Sequence, residues 1–161
     1  MEGKIYVIYG QGKGKTTAAL GNAIRLVGDG KTVNIIQFLK GKRGEKVLSV
    51  VEKLEPDIKV FRFEKHAGKF SDLNDEEKGE ELINIRNGLN FAKKVLATAS
   101  ADVLILDEVL GLVDRGIMES SELCEIIKSK PEEMDIIITG RVLDENVRAL
   151  ADSITRLDSE K

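Results

Sequence analysis

Tryptophan is absent from the 161 residues, cysteine occurs once, proline twice, and aromatic side chains make up only 4% of the chain. A single cysteine forms no internal disulfide. The fold must therefore be held by a hydrophobic core, and a reducing, cytoplasmic setting is the expectation. Cys124 falls in Ser121-Glu122-Leu123-Cys124-Glu125-Ile126-Ile127, a helical pattern in which a small thiol reads as core. No apolar run approaches the length of a membrane span, and the N-terminus lacks the pattern of a secretory leader. An excess of one charge is missing too. Lys and Arg number 25 against 28 Asp and Glu, leaving a net charge of −3. Neither a broad nucleic-acid surface nor a membrane is expected as a partner.

What remains is a soluble globular composition, 42% hydrophobic, long enough for one full core. Apolar β-rich runs alternate with helical patterns. Strands are expected over 4–9, 32–38, 58–63, 103–106, 136–139 and 154–157. Helices are expected over 16–27, 45–54, 75 to about 99, 120–129 and 146–152, the second stopping before Pro56 and the fourth before Pro131. Residues 64–74 read as irregular, and 107–116 as a loop. Val103-Leu104-Ile105-Leu106 shows no polar alternation, as befits a strand buried on both faces. Such alternation of strands and helices implies a parallel sheet with helices on both sides, and ligands then sit at the carboxyl ends of the strands.

The first of those ends carries the strongest signal. Ile5-Tyr6-Val7-Ile8-Tyr9 runs into Gly10-Gln11-Gly12-Lys13-Gly14-Lys15-Thr16-Thr17. Glycines let backbone N–H groups converge on phosphate oxygens without Cβ clashes, Lys15 adds a point charge, and the Thr16 hydroxyl suits Mg²⁺. The following helix turns its positive end to the same anion. Gly10 through Thr17 are therefore expected to bind a nucleoside triphosphate. The common pattern has glycine where this chain has Tyr9, which points away from ordinary kinases and GTPases toward a variant class. The expected fold is a three-layer α/β P-loop NTPase (RecA-like) arrangement with a mostly parallel central sheet, and residues 1–161 form a single nucleotide-binding domain.

Further candidates lie at the other strand ends. Asp107 closes an apolar strand, where such an acid holds Mg²⁺ beside a phosphate loop. Glu108 has two open roles, activating a water or organising the outer shell of the metal. Arg141, after Thr139-Gly140, can reach phosphate oxygens or remain a surface cation. The basic run Lys40-Gly41-Lys42-Arg43 suits a phosphate, an acidic partner or plain solvent. Phe70, in an irregular loop, is a candidate for a second ligand site. His66, the only histidine, has no Cys or His neighbour at metal spacing and reads as solvent-facing.

Taken in order, Gly10 to Ala19, Gln37-Phe38-Leu39-Lys40-Gly41 with Gly44-Glu45, Val103 to Glu108, and Thr139-Gly140-Arg141 resemble the P-loop ATP:corrinoid adenosyltransferases. The likeness spans nearly the whole chain. It departs in two places: the Lys-His-Pro segment usual after the last strand and the tryptophan some members carry between residues 64 and 74 are not found here.

The resemblance implies attack of reduced cobalt(I) of a corrinoid on the 5′ carbon of ATP, with triphosphate leaving. Lys15 and Glu108 are then the catalytic candidates, Thr16 and Asp107 the Mg²⁺ ligands, Gly10 to Thr17 and Arg141 the nucleotide site, and Phe70 a wall keeping cobalt dry. A flavoprotein reductant and a homodimer are the associated partner expectations. Three other readings stay open on the residues alone: a RecA-like ATPase driving a partner, a nucleotide-binding regulatory module, and a small-molecule kinase.

Overall fold

The computed structural model describes residues 2–40, 45–64, 66 and 68–161. All six expected strands form, each within two residues of its sequence bounds: β1 Ile5–Tyr9, β2 Val33–Gln37, β3 Ile58–Arg62, β4 Val103–Asp107, β5 Asp135–Gly140 and β6 Ser153–Arg156. They make one sheet in the order β3-β2-β4-β5-β1-β6, with every pairing parallel. The helices are α1 Lys15–Gly28, α2 Glu45–Val51, α3 Asp75–Thr98, α4 Val109–Asp114, α5 Ser120–Lys128 and α6 Glu145–Leu150.

Alternation along the strands sorts the core into two layers. Val103 and Ile105 of β4 point to one face, with Ile35 of β2, Ala19, Ala23 and Leu26 of α1, and Val51 of α2. Leu104 and Leu106 point to the other, with Leu89 and Leu96 of α3, Leu110 and Leu112 of α4, Leu123 and Ile127 of α5, and Val147 of α6. Burying each large aliphatic side chain contributes about 1.5–3 kcal/mol relative to exposure. A sheet covered on both faces needs continuous apolar strands, which explains why β4 and β5 show no polar alternation.

Local chemistry sets the helix ends. Asn74 and Glu77 form a capping box at the start of α3: the Glu77 N–H donates to Asn74 Oδ1 at 2.8 Å, and the Asn74 N–H donates to Glu77 Oε1 at 3.1 Å. Asp144 caps α6 by accepting from the Asn146 N–H at 2.8 Å.

Two local expectations are corrected. The 107–116 segment is no loop, because Val109–Asp114 forms α4, whose Val109, Leu110 and Leu112 enter the core. Phe70 does not lie in irregular chain but opens a 3₁₀ turn, Phe70–Asp72.

Strand register positions the chemistry. Arg62, Gln37 and Asp107 are in-register neighbours on β3, β2 and β4, one beside the next at the carboxyl edge. Leu106 pairs with Ile138, so Thr139 falls on the far side of Asp107.

Candidate functional site

The chain leaves β1 at Tyr9 and turns at Gly10, whose φ of 131° is open only to glycine at low cost. This is what the missing earlier glycine means structurally: the turn starts one residue late. Tyr9 remains a strand residue, and its hydroxyl accepts from Arg148 Nη2 at 3.2 Å. That hydrogen bond raises the Arg148 pKa above its ordinary value. Gly10 and Gly12 are also demanded by packing, since a Cβ on either would fall 2.3 and 2.6 Å from the Leu157 carbonyl oxygen. Gly14, with φ 97°, has open space where a Cβ would go.

The loop amides divide into two groups. The N–H of Gly10 donates to the Gly140 carbonyl at 3.1 Å and that of Gly12 to the Leu157 carbonyl at 2.8 Å, while that of Lys13 donates to Ser159 Oγ at 3.0 Å. The amides of the first turn of α1, Lys15 to Thr17, have no partner four residues back and form the natural anion cradle. Lys15 is buried, and its ammonium donates to the Gly12 carbonyl at 2.8 Å. Its charge thus lies folded against the loop it belongs to.

Across from the loop stands Asp107, 1% exposed. Its Oδ1 accepts from Thr139 Oγ1 at 2.6 Å, and the Thr16 hydroxyl donates toward Oδ1 and Oδ2 at 3.2 and 3.0 Å. Oδ2 also accepts from Gln37 Nε2 at 3.2 Å and lies 3.0 Å from the Lys40 ammonium. Arg62 Nε fixes Gln37 by donating to its Oε1 at 2.7 Å. Thr139 Oγ1 in turn accepts from the Glu108 N–H at 2.9 Å. A buried carboxylate with this many donors is fixed in direction.

The structure thus brings Thr16 and Asp107 together. They open onto a cavity of about 250 Å³ between α1 and α2, whose polar end holds Gln37, Lys40 and Arg62 and whose base is apolar. Glu108 and Arg141 face a separate cleft with Gln11. There Arg141 Nε and Nη2 donate to Gln11 Oε1 at 3.1 and 2.6 Å. Glu108 holds a left-handed backbone, φ 64°, at the sharp junction of β4 and α4. Phe70 lines a third, small recess with His66, Leu73 and Ile85.

His66 corrects the sequence expectation. Its side chain is only 21% exposed, with Nε2 2.9 Å from Glu80 Oε2 and Nδ1 3.5 Å from Glu77 Oε2. The acidic first half of α3 attracts it.

Gln37, Arg62 and Thr139 were not singled out from sequence, yet they orient Asp107. Lys40, whose basic run suits a phosphate, an acidic partner or solvent, lies in the site. The rest of its basic run, 41–44, lies outside the described residues, as do Lys65 and Ala67. Among the described residues no three His, Cys, Asp or Glu side chains gather into a metal cage. A single carboxylate with a hydroxyl suits Mg²⁺, which binds through few protein oxygens and completes its shell with phosphate and water.

A glycine-rich loop between a strand and a helix, at the carboxyl edge of a parallel sheet and faced by a Thr–Asp pair, defines a P-loop nucleotide-binding protein. The fold is similar to that of the KaiC-like protein PH0186 from Pyrococcus horikoshii OT3, with a TM-score of 0.57 over 99% of this chain and 75% of that one, at 16% identity. The chain belongs to the ATP:corrinoid adenosyltransferase family (BtuR/CobO/CobP), whose model matches residues 1–161. It is 35% identical to the corrinoid adenosyltransferase of Escherichia coli K12 over 157 residues, 96% of this chain and 76% of that protein. Identity to the corrinoid adenosyltransferase CobA of Salmonella typhimurium is 33% over the same share of each.

Proposed function

We propose that the protein transfers the 5′-deoxyadenosyl group of ATP to reduced cobalt(I) of a corrinoid, releasing triphosphate, in the formation of adenosylcobalamin. The family match over residues 1–161 carries this reading. In the reaction the cobalt electron pair forms the bond to C5′. The C5′–oxygen bond breaks with its pair passing to the triphosphate, and cobalt ends formally as cobalt(III).

The chain's own task is positional and electrostatic. The first-turn amides of α1 and the Lys15 ammonium would hold the triphosphate and take up the charge it gains on leaving. Lys15 must swing from the Gly12 carbonyl to do so, a short movement of a flexible side chain. Thr16 and Asp107 would hold Mg²⁺, and the bound ion supplies positive charge beside the leaving group. Arg141 and Gln11, already paired, would orient the nucleotide from the second cleft. Glu108, in that same cleft and with no attacking water to activate in this reaction, would organise the outer shell of the metal. Phe70 would shield the corrinoid face. The partners that accompany this reading are a flavoprotein that delivers cobalt(I) and a second copy of the chain, in the cytoplasm.

Anaerobic incubation with ATP, Mg²⁺ and chemically reduced cobalamin should give a light-sensitive alkylcobalamin spectrum. Asp107→Asn should lose Mg²⁺-dependent turnover by at least about tenfold with less effect on ATP binding, because the amide keeps shape and loses charge. A wild-type spectrum unchanged by ATP, under conditions where ATP binds, contradicts the proposal.

A further inference from the structure

The half-buried cation beside Asp107 is supplied by the protein itself. The Lys40 ammonium donates to Thr16 Oγ1 at 2.6 Å and lies 3.0 Å from Asp107 Oδ2, with its side chain only 10% exposed. These are the two oxygens assigned above to the metal. A carboxylate at 1% exposure left without an opposite charge would be costly, and Lys40 supplies that charge. The arrangement also shows that the pair accepts a cation, since an ammonium already sits on it.

We propose that Lys40 is an exchangeable internal counter-ion. It holds the metal position closed in the free protein, is displaced when Mg²⁺ arrives with ATP, and then transfers its charge to the triphosphate. The proposal rests on the reading that Thr16 and Asp107 are the metal ligands.

Two observations give it direction. First, the same lone pairs cannot serve an ammonium and a divalent ion together, and like charges at such spacing repel strongly where water is excluded. Metal alone brings no anion to receive the displaced lysine. Metal with a triphosphate does, so metal binding becomes conditional on nucleotide. Second, the backbone leading into Lys40 is anchored, and the ammonium sits at the end of a flexible side chain. The Phe38 N–H donates to the Asp107 carbonyl at 2.9 Å, Leu39 adopts a left-handed φ of 58°, and the Lys40 N–H donates to the Glu64 carboxylate. A flexible four-carbon stem on an anchored backbone can move its charge without moving the strand. Gln37 stays behind, pinned by Arg62, and keeps Asp107 oriented during the exchange.

The test uses Mn²⁺ in place of Mg²⁺, with free Mn²⁺ counted by electron paramagnetic resonance and no corrinoid present. Wild type should bind Mn²⁺ weakly alone and tightly with ATP. Lys40→Met should bind Mn²⁺ alone at least about tenfold more tightly than wild type, as one competing charge is removed. Adding Asp107→Asn to that variant should abolish the gain. ATP affinity of Lys40→Met should fall by about tenfold, reflecting the lost contact to triphosphate. Its thermal midpoint should rise on adding Mn²⁺ where that of wild type does not. Lys40→Gln keeps a hydrogen-bond donor to Asp107 and should repeat the Mn²⁺ result if Lys40→Met folds poorly. If both variants bind Mn²⁺ alone no better than wild type, the counter-ion role is wrong. If Asp107→Asn alone still weakens Mn²⁺ binding in the presence of ATP, the metal assignment survives that failure. If it does not, the assignment falls as well.

Discussion

Thr139→Val tests how the Asp107 network is held. The substitution keeps the shape of a fully buried side chain and removes one oxygen. That oxygen donates to Asp107 Oδ1 at 2.6 Å and accepts from the Glu108 N–H at 2.9 Å. The first bond goes to a charged group and is worth about 1.5–3 kcal/mol; leaving the amide without a buried partner costs about 1–3 kcal/mol more. The expected loss is about 2.5–6 kcal/mol, which in a chain of this size lowers the thermal midpoint by about 5–24 °C. Urea unfolding followed by circular dichroism measures it directly. Thr139→Ser retains the oxygen and should stay within about 1.5 kcal/mol of wild type. A Val variant as stable as the Ser variant would refute the claim that Thr139 supports Asp107 and the β4–α4 junction.

Other expectations follow from single sites. Ala99→Gly should stabilise the protein by about 1 kcal/mol, because Ala99 ends α3 in the left-handed region at φ 48°; unfolding midpoints check this. Cys124 is buried in α5, and burial pushes its thiol pKa up, so native protein should react with a disulfide reagent far more slowly than protein in denaturant. Phe70→Ala should raise the corrinoid KM or lower kcat while ATP affinity, read by calorimetry, stays unchanged; an equal loss of both would make Phe70 a structural residue.

Much of this architecture is legible before any coordinates. The β1 run into Gly10 to Thr17 carries its own geometry, because only glycine suits the turn at Gly10 and the close approach of Leu157 to Gly12. The strands β4 and β5 announce two-sided burial through the unbroken apolar runs Val103-Leu104-Ile105-Leu106 and Ile136-Ile137-Ile138. Asp107 is found because it ends such a strand.

Less legible is whatever depends on a neighbour distant in sequence. Lys40 stands in a basic run that looks solvated, and only the apposition of β2, β4 and α1 buries it. Gln37 and Arg62 matter through the register of three strands, which a linear pattern does not reveal. His66 seemed solvent-facing because its partners Glu77 and Glu80 belong to a helix that begins nine residues later. The helix α4 is hard to read because Val109-Leu110-Gly111-Leu112-Val113, set off from β4 by only Asp107-Glu108, is too short to show a period. Here tertiary burial, not propensity, makes the helix.

The central claim is that ATP is cut at its 5′ carbon and not at phosphorus. Phosphorus NMR of an anaerobic reaction with ATP, Mg²⁺ and reduced cobalamin measures this directly. One intact triphosphate should appear for each cobalt–carbon bond formed, and none without corrinoid. ADP and phosphate released at a rate indifferent to corrinoid would contradict this and favour an ATPase.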